Sequence, residues 1–126
     1  MMTGALTSDG EPVLRLTVEG PAGARDIEAL VDTGFNGGLT LSSGLIAALG
    51  LPEKTVMEVT LADGRVRDVQ TYVGTVALNG TSKRVLIAES PTTPLVGTSL
   101  LWGFSLYAEF QADGAVKVDR LPPASE

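Results

Sequence analysis

The chain contains no cysteine and no histidine in its 126 residues. The first absence removes thiol nucleophiles, disulfide frameworks and thiolate metal sites. The second removes Ser-His-Asp triads, and the two together remove nearly all zinc centres. Acid–base chemistry at moderate pH is left to carboxylates, lysine and tyrosine, and neither a metal nor a cofactor is expected. Aromatic residues are scarce, with three Phe, two Tyr and one Trp, so aliphatic side chains must fill the core. Nine Lys and Arg stand against fifteen Asp and Glu, for a net charge of −6. An acidic chain without a basic cluster is unsuited to a phosphate backbone, and no nucleic-acid partner is expected. No apolar run approaches the ~20 residues that span a bilayer, and no membrane association is expected. The first ten residues show neither a basic n-region nor a long apolar h-region, so the expected location is cytoplasmic.

What the chain does have is glycine, at fifteen positions, with seven prolines. That composition predicts many tight turns between short strands. One domain is expected over residues 11–120, with flexible tails at 1–10 and 121–126. Val13, Leu14, Leu16 and Val18 mark a first strand, residues 26–31 a second and 39–41 a short third. Ser42 and Ser43, the apolar stretch 44–49 and Gly50 read as a hydroxyl N-cap, a short helix and a glycine stop, with Pro52 preventing resumption. Residues 56–61 and 66–78 flank Asp63-Gly64, a two-residue hairpin signal. The length of the second segment predicts a strand that bends, or two strands that share a corner. Asn79-Gly80 reads as another hairpin turn rather than as the glycosylation acceptor that Asn79-Gly80-Thr81 matches. Residues 84–88 read as a central strand, apolar on both faces. Leu95-Val96-Gly97 reads as a short strand ending in glycine, with Thr98 as the hydroxyl cap of a brief helical turn. Residues 105–110 and 116–118 flank Asp113-Gly114 as a last hairpin. The sum is about nine short strands with one or two short helices, an all-β barrel or sandwich.

The triplet Asp32-Thr33-Gly34 ends the apolar run Ile27-Glu28-Ala29-Leu30-Val31 and leads into Phe35-Asn36-Gly37-Gly38. A strand therefore delivers one carboxylate into a glycine-rich turn, and a second strand leaves it. Asp and Gly favour turns for backbone reasons, and chance supplies such a triplet in about one chain in thirty of this length. The context adds to it. Thr93-Pro94-Leu95-Val96-Gly97 echoes the approach to Asp32, with paired aliphatics before a glycine and a helix candidate after it. The turn lacks the spacing and the lysine of a phosphate loop. Asp63, Glu89 and Glu109 read as a scattered acidic surface. Trp102, Phe104 and Tyr107 read as core or interface rather than as a ligand platform.

Taken in order, these segments resemble the retropepsin-like aspartic proteases, in particular their small single-domain prokaryotic members. The resemblance runs over residues 13–120. It rests on Ala29-Leu30-Val31-Asp32-Thr33-Gly34-Phe35, Leu49-Gly50-Leu51, Leu61-Ala62-Asp63-Gly64-Arg65, Leu95-Val96-Gly97-Thr98-Ser99-Leu100-Leu101 and the hairpin around Asp113-Gly114. It implies a closed retropepsin-like barrel with a ψ-loop, a flap hairpin and one or two short helices. It also implies a homodimeric endopeptidase acting on peptide or protein, because one triplet per chain supplies only half of a carboxylate pair. Asp32 would be catalytic, Thr33 would hydrogen-bond across the dimer, and the Gly34 amide would serve the carboxylate. Ala62, Asp63 and Gly64 at the flap tip would close over substrate, and Leu95, Val96 and Gly97 would buttress the catalytic turn. Phe35 departs from the commoner Ser or Ala at its position and would fill a substrate subpocket or the underlying core. Two alternatives stay open: a non-catalytic relative serving as a dimerisation or peptide-binding module, and an unrelated small barrel in which Asp32 only stabilises a turn.

Overall fold

Leu14, Leu16 and Val18 alternate with outward-facing residues along one strand, and all three are buried. This period-2 pattern recurs through the chain and builds the core. The computed structural model describes residues 2–61, 63–78 and 80–122. Within them run strands β1 (Met2–Leu6), β2 (Pro12–Gly20), β3 (Gly23–Val31) and β4 (Leu39–Leu41), followed by helix α1 (Ser43–Leu49). Strands β5 (Glu53–Thr60), β6 (Val66–Leu78), β7 (Thr81–Glu89) and β8 (Leu95–Val96) follow, then helix α2 (Thr98–Leu101), β9 (Phe104–Ala108) and β10 (Ala115–Arg120).

The strands form one sheet in the order β5-β6-β7-β4-β8-β3-β2-β1-β10-β9, and a further β2–β6 pairing turns part of it into a ring of strands. Buried Leu39, Leu41, Val76, Leu78, Val85, Ile87, Val96, Val116 and Val118 fill the interior, with Ile46 and Leu49 of α1. Every fully buried large side chain among the described residues is Leu, Ile or Val, as the scarcity of aromatics requires. Each such side chain contributes roughly 1.5–3 kcal/mol of burial.

Helix α1 has the ends that its sequence specifies. The Ser42 hydroxyl accepts the Leu45 amide at 3.3 Å, and Gly50 closes the helix in the left-handed conformation at φ 64°. The segment 66–78 is a single strand that changes partners along its length. It pairs with β5 at one end, with β7 at the other, and with β2 through residues 75–77.

Four expectations change. The expected tail at 1–10 supplies β1, which lies between β2 and β10. Its apolar signal is weak because Gly4 has no side chain, and a Cβ there would overlap the Val13 carbonyl. At the other end Leu121 donates its amide to the Gly103 carbonyl at 2.9 Å, and the rest of the expected tail, 123–126, lies outside the described residues. Strand β7 is central but buried on one face only: Val85 and Ile87 point inward, and Leu86 is exposed. Thr98 is the first residue of α2 rather than its cap, and Gly97 holds the N-cap place without a side-chain bond. Trp102 is 81% exposed, so of the two places expected for it, core or interface, core is excluded.

Candidate active site

Strand β8 lies between β3 and β4, so the two strands flanking Asp32 are held apart by a third. It runs parallel to β3 with Leu30 opposite Leu95 and Val31 opposite Val96. The Leu30 amide donates to the Pro94 carbonyl and the Asp32 amide to the Val96 carbonyl, each at 2.9 Å. The two echoing segments of the sequence are thus adjacent strands. This is the ψ-shaped connection, and it fixes the backbone of Asp32 before the chain turns.

The turn then closes on the aspartate itself. The Phe35 amide donates to the Asp32 carbonyl at 3.1 Å, and the Gly34 amide donates to Asp32 Oδ1 at 2.9 Å. The Asp32 side chain is half-buried, and Thr33 and Gly34 are exposed. Among the described residues no Lys or Arg pairs with Asp32, and the Thr33 hydroxyl has no partner. No cluster of three acids suited to a metal ion occurs among them.

Beyond Phe35 the turn is tied to α2. The Gly97 amide donates to the Gly38 carbonyl at 2.9 Å, Thr98 to Phe35 at 2.9 Å and Ser99 to Gly37 at 3.2 Å. Position 97 requires glycine for a packing reason: a Cβ would overlap the Gly37 carbonyl oxygen and lie 2.7 Å from Phe35 Cδ2. The Phe35 ring lies across Gly37 as well, where a Cβ would meet its Cε1 at 2.6 Å. Phe35 therefore occupies the angle between the turn and the start of α2. Leu95, Val96 and Gly97 stand directly against the Asp32 turn.

A cleft of about 370 Å³ opens between this turn and the β5–β6 hairpin. Phe35, Gly37 and Leu39 line one wall, and Met57, Val59 and Val69 line the other. Met57 and Val69 are opposite one another in register, which places the cleft-facing residues on one side of the hairpin. Val85 and Leu86 of β7 complete an apolar lining. Asp63 and Gly64 sit at the hairpin tip and do not line the cleft. Asp63 instead caps its own turn, accepting the Arg65 amide at 3.0 Å and the Arg65 Nε at 2.6 Å. Ala62 lies outside the described residues, as does Asn79 of the second expected turn.

Two residues near the site carry structure that the motif reading passed over. Buried Thr40 accepts the Leu95 amide on its hydroxyl at 2.8 Å, joining β4 to β8 beside the Asp32 turn. Lys83 lines the cleft and reaches α2 with its ammonium. Its signal was the period-2 register with Val85 and Ile87, which places it on the inner face of β7.

The sequence matches no protein-family model and no curated relative. The fold does have solved counterparts. It is similar to the crystal structure of a retropepsin-like aspartic protease from Rickettsia conorii, at 18% identity and a TM-score of 0.57, over 96% of this chain and 91% of that one. It is also similar to EIAV protease complexed with the inhibitor HBY-793, at 17% identity and a TM-score of 0.52, over 76% of this chain and 89% of that one. The fold of the chain is retropepsin-like.

Proposed function

We propose that this chain is an aspartic endopeptidase that works as a homodimer, with Asp32 of each subunit forming one half of a catalytic pair. The observation that carries the reading is the Asp32 carboxylate itself. It is held by the Gly34 amide on a retropepsin-like ψ-loop and paired with no cation among the described residues. A two-fold axis beside the turn would bring the carboxylate against its own copy. Two carboxylates in contact share one proton.

The chemistry follows from that shared proton. The ionised carboxylate takes a proton from a water as the water oxygen attacks the scissile carbonyl carbon. The protonated partner gives its proton to the carbonyl oxygen, and a neutral gem-diol forms. Collapse of the gem-diol breaks the C–N bond and delivers a proton to the leaving nitrogen, giving a carboxylic acid and an amine. Thr33, exposed and without a partner among the described residues, would bridge the two turns. The apolar cleft under the β5–β6 hairpin suits a side chain such as Leu or Phe beside the cut, with the hairpin tip at Asp63 and Gly64 closing over the peptide.

The test is turnover of an extended-peptide library by the wild type and by Asp32→Asn, with sedimentation of both. The proposal expects a dimer in each and cleavage by the wild type alone. Equal cleavage by both proteins would sink the catalytic role of Asp32. A stable dimer that binds peptides and cuts none would make the chain a binding module.

A further inference from the structure

Lys83 stands where the alternation of β7 points inward. Val85 and Ile87, two and four residues on, are buried, and Arg84 and Leu86 between them are exposed. An inward ammonium is costly unless it finds acceptors. This one finds three. Lys83 Nζ donates to the carbonyls of Ser99 at 3.0 Å, Leu100 at 3.1 Å and Trp102 at 3.2 Å. These are the carbonyls that a four-residue helix leaves without donors at its C-terminal end. All three N–H groups of the ammonium are thereby committed, and a side chain from another strand does the capping. Partial burial pulls the Lys83 pKa below its ordinary 10.5.

The other end of α2 is bound to the turn that carries Asp32. Thr98 and Ser99 donate to the carbonyls of Phe35 and Gly37, and Gly97 donates to Gly38. The close approach at Gly97 leaves no room for α2 to slide along the turn. The helix is thus a short rigid link, with Lys83 at one end and the backbone of residues 35–38 at the other.

We propose that Lys83 is a positioning residue for the Asp32 turn: its ammonium clamps the C-terminal end of α2, and the helix carries that restraint to residues 35–38. Only the kinetic consequence rests on the protease reading. The clamp itself has readouts that need no activity.

The experiment compares wild type, Lys83→Met and Lys83→Arg as full chains. Methionine keeps most of the aliphatic stem and removes the ammonium, whereas arginine keeps a charged donor. Hydrogen exchange is followed at the Thr98 and Ser99 amides and, as a control, at Val76 in the core. Lys83→Met is expected to speed exchange at Thr98 and Ser99 about tenfold or more while Val76 holds, and Lys83→Arg to recover part of the protection. Trp102, the only tryptophan in the chain, adds a second readout: its fluorescence anisotropy falls in Lys83→Met. With a cleaved peptide in hand, kcat falls in Lys83→Met and is partly restored in Lys83→Arg. Unchanged exchange at Thr98 and Ser99 overturns the proposal. So does a uniform rise at every amide, which marks Lys83 as a contributor to global stability alone. Should Lys83→Met not fold, Lys83→Gln takes its place in the same comparison. A wild type that cuts nothing removes the protease reading and leaves the exchange result to decide the clamp.

Discussion

The amide of Gly34 donates to Oδ1 of Asp32 at 2.9 Å, so the aspartate is held by a residue of its own turn rather than by a distant partner. The contact fixes one oxygen and leaves the carboxylate on an exposed stretch of backbone. A side chain whose only task was to stabilise the turn would satisfy the same contact as an amide. Asp32→Asn keeps a side-chain oxygen for Gly34 and removes the charge. The expected outcome is a melting temperature near that of the wild type with peptide turnover reduced about 10³-fold or more. Calorimetry and a fluorogenic peptide assay measure the two quantities. A large loss of stability with turnover intact would assign Asp32 to folding.

Gly97 is where the turn and α2 meet most closely, and it admits no side chain. Gly97→Ala places a methyl against the Gly37 carbonyl and the Phe35 ring. Overpacking of this kind costs about 1–3 kcal/mol. The denaturant midpoint is expected to fall accordingly with an unchanged slope. Phe35→Ala, combined with it, relieves the ring contact but not the carbonyl contact, so the double variant recovers only part of the loss. Full recovery would show that the ring alone sets the constraint.

Much of this arrangement is legible in the sequence because it is local. Ser42 and Gly50 announce both ends of α1, and the echo between residues 29–34 and 93–97 announces the strand pair beneath Asp32. The features that escaped depend on distant partners. Asp63-Gly64 suggests a two-residue turn, but the Leu61 amide donates to the Arg65 carbonyl at 2.7 Å, which brackets three residues. Nothing in the sequence near Gly4 tells that β10 waits on its far side. The period-2 register puts Lys83 on the inner face of β7, but nothing local shows what its ammonium meets until the carbonyls of α2, sixteen to nineteen residues on, are placed around it. Exposed Trp102 leaves, of the core and interface places expected for it, only the interface, which a single chain does not display.

Thr40 provides a long-range tie that a hydroxyl alone can make. Its Oγ1 accepts the Leu95 amide from 55 residues away, and the side chain is buried. Thr40→Val has nearly the same shape and leaves that amide without an acceptor. The expected cost is about 1–3 kcal/mol, the desolvation penalty of an unpaired buried N–H. Hydrogen exchange at Leu95 should rise more than at Ile87, because the Leu95 amide loses its acceptor while Ile87 keeps its place in the β6–β7–β4 ladder. A Thr40→Val protein with wild-type stability would mean that water reaches the Leu95 amide.

Tyr107 and Glu109 make the acidic and alkaline limits of the last hairpin measurable. The Tyr107 hydroxyl donates to Glu109 Oε2 at 2.9 Å, the Ala115 amide donates to Oε1 at 3.2 Å, and Lys117 Nζ lies 5.6 Å from the Tyr107 ring centre. The tyrosine bond and then the Ala115 amide hold the Glu109 carboxyl below its ordinary 4.5 against a smaller desolvation effect, and the Lys117 charge adds the least. The same bond, with the Glu109 charge behind it, holds the Tyr107 phenol above its ordinary 10.0. A lowered acid stabilises the fold above its unfolded-state value, so the Glu109 contribution is present above pH 4.5 and fades as pH falls through the folded-state value. A raised phenol works in the opposite sense: its contribution is present below pH 10.0 and fades as pH rises through the folded-state value. Tyr107→Phe removes the first cause and leaves the Ala115 amide in place. The Glu109 midpoint, followed by carboxyl-carbon NMR, should therefore move up toward 4.5 without reaching it. An identical midpoint in wild type and Tyr107→Phe would show that the hydroxyl contact does not persist in solution.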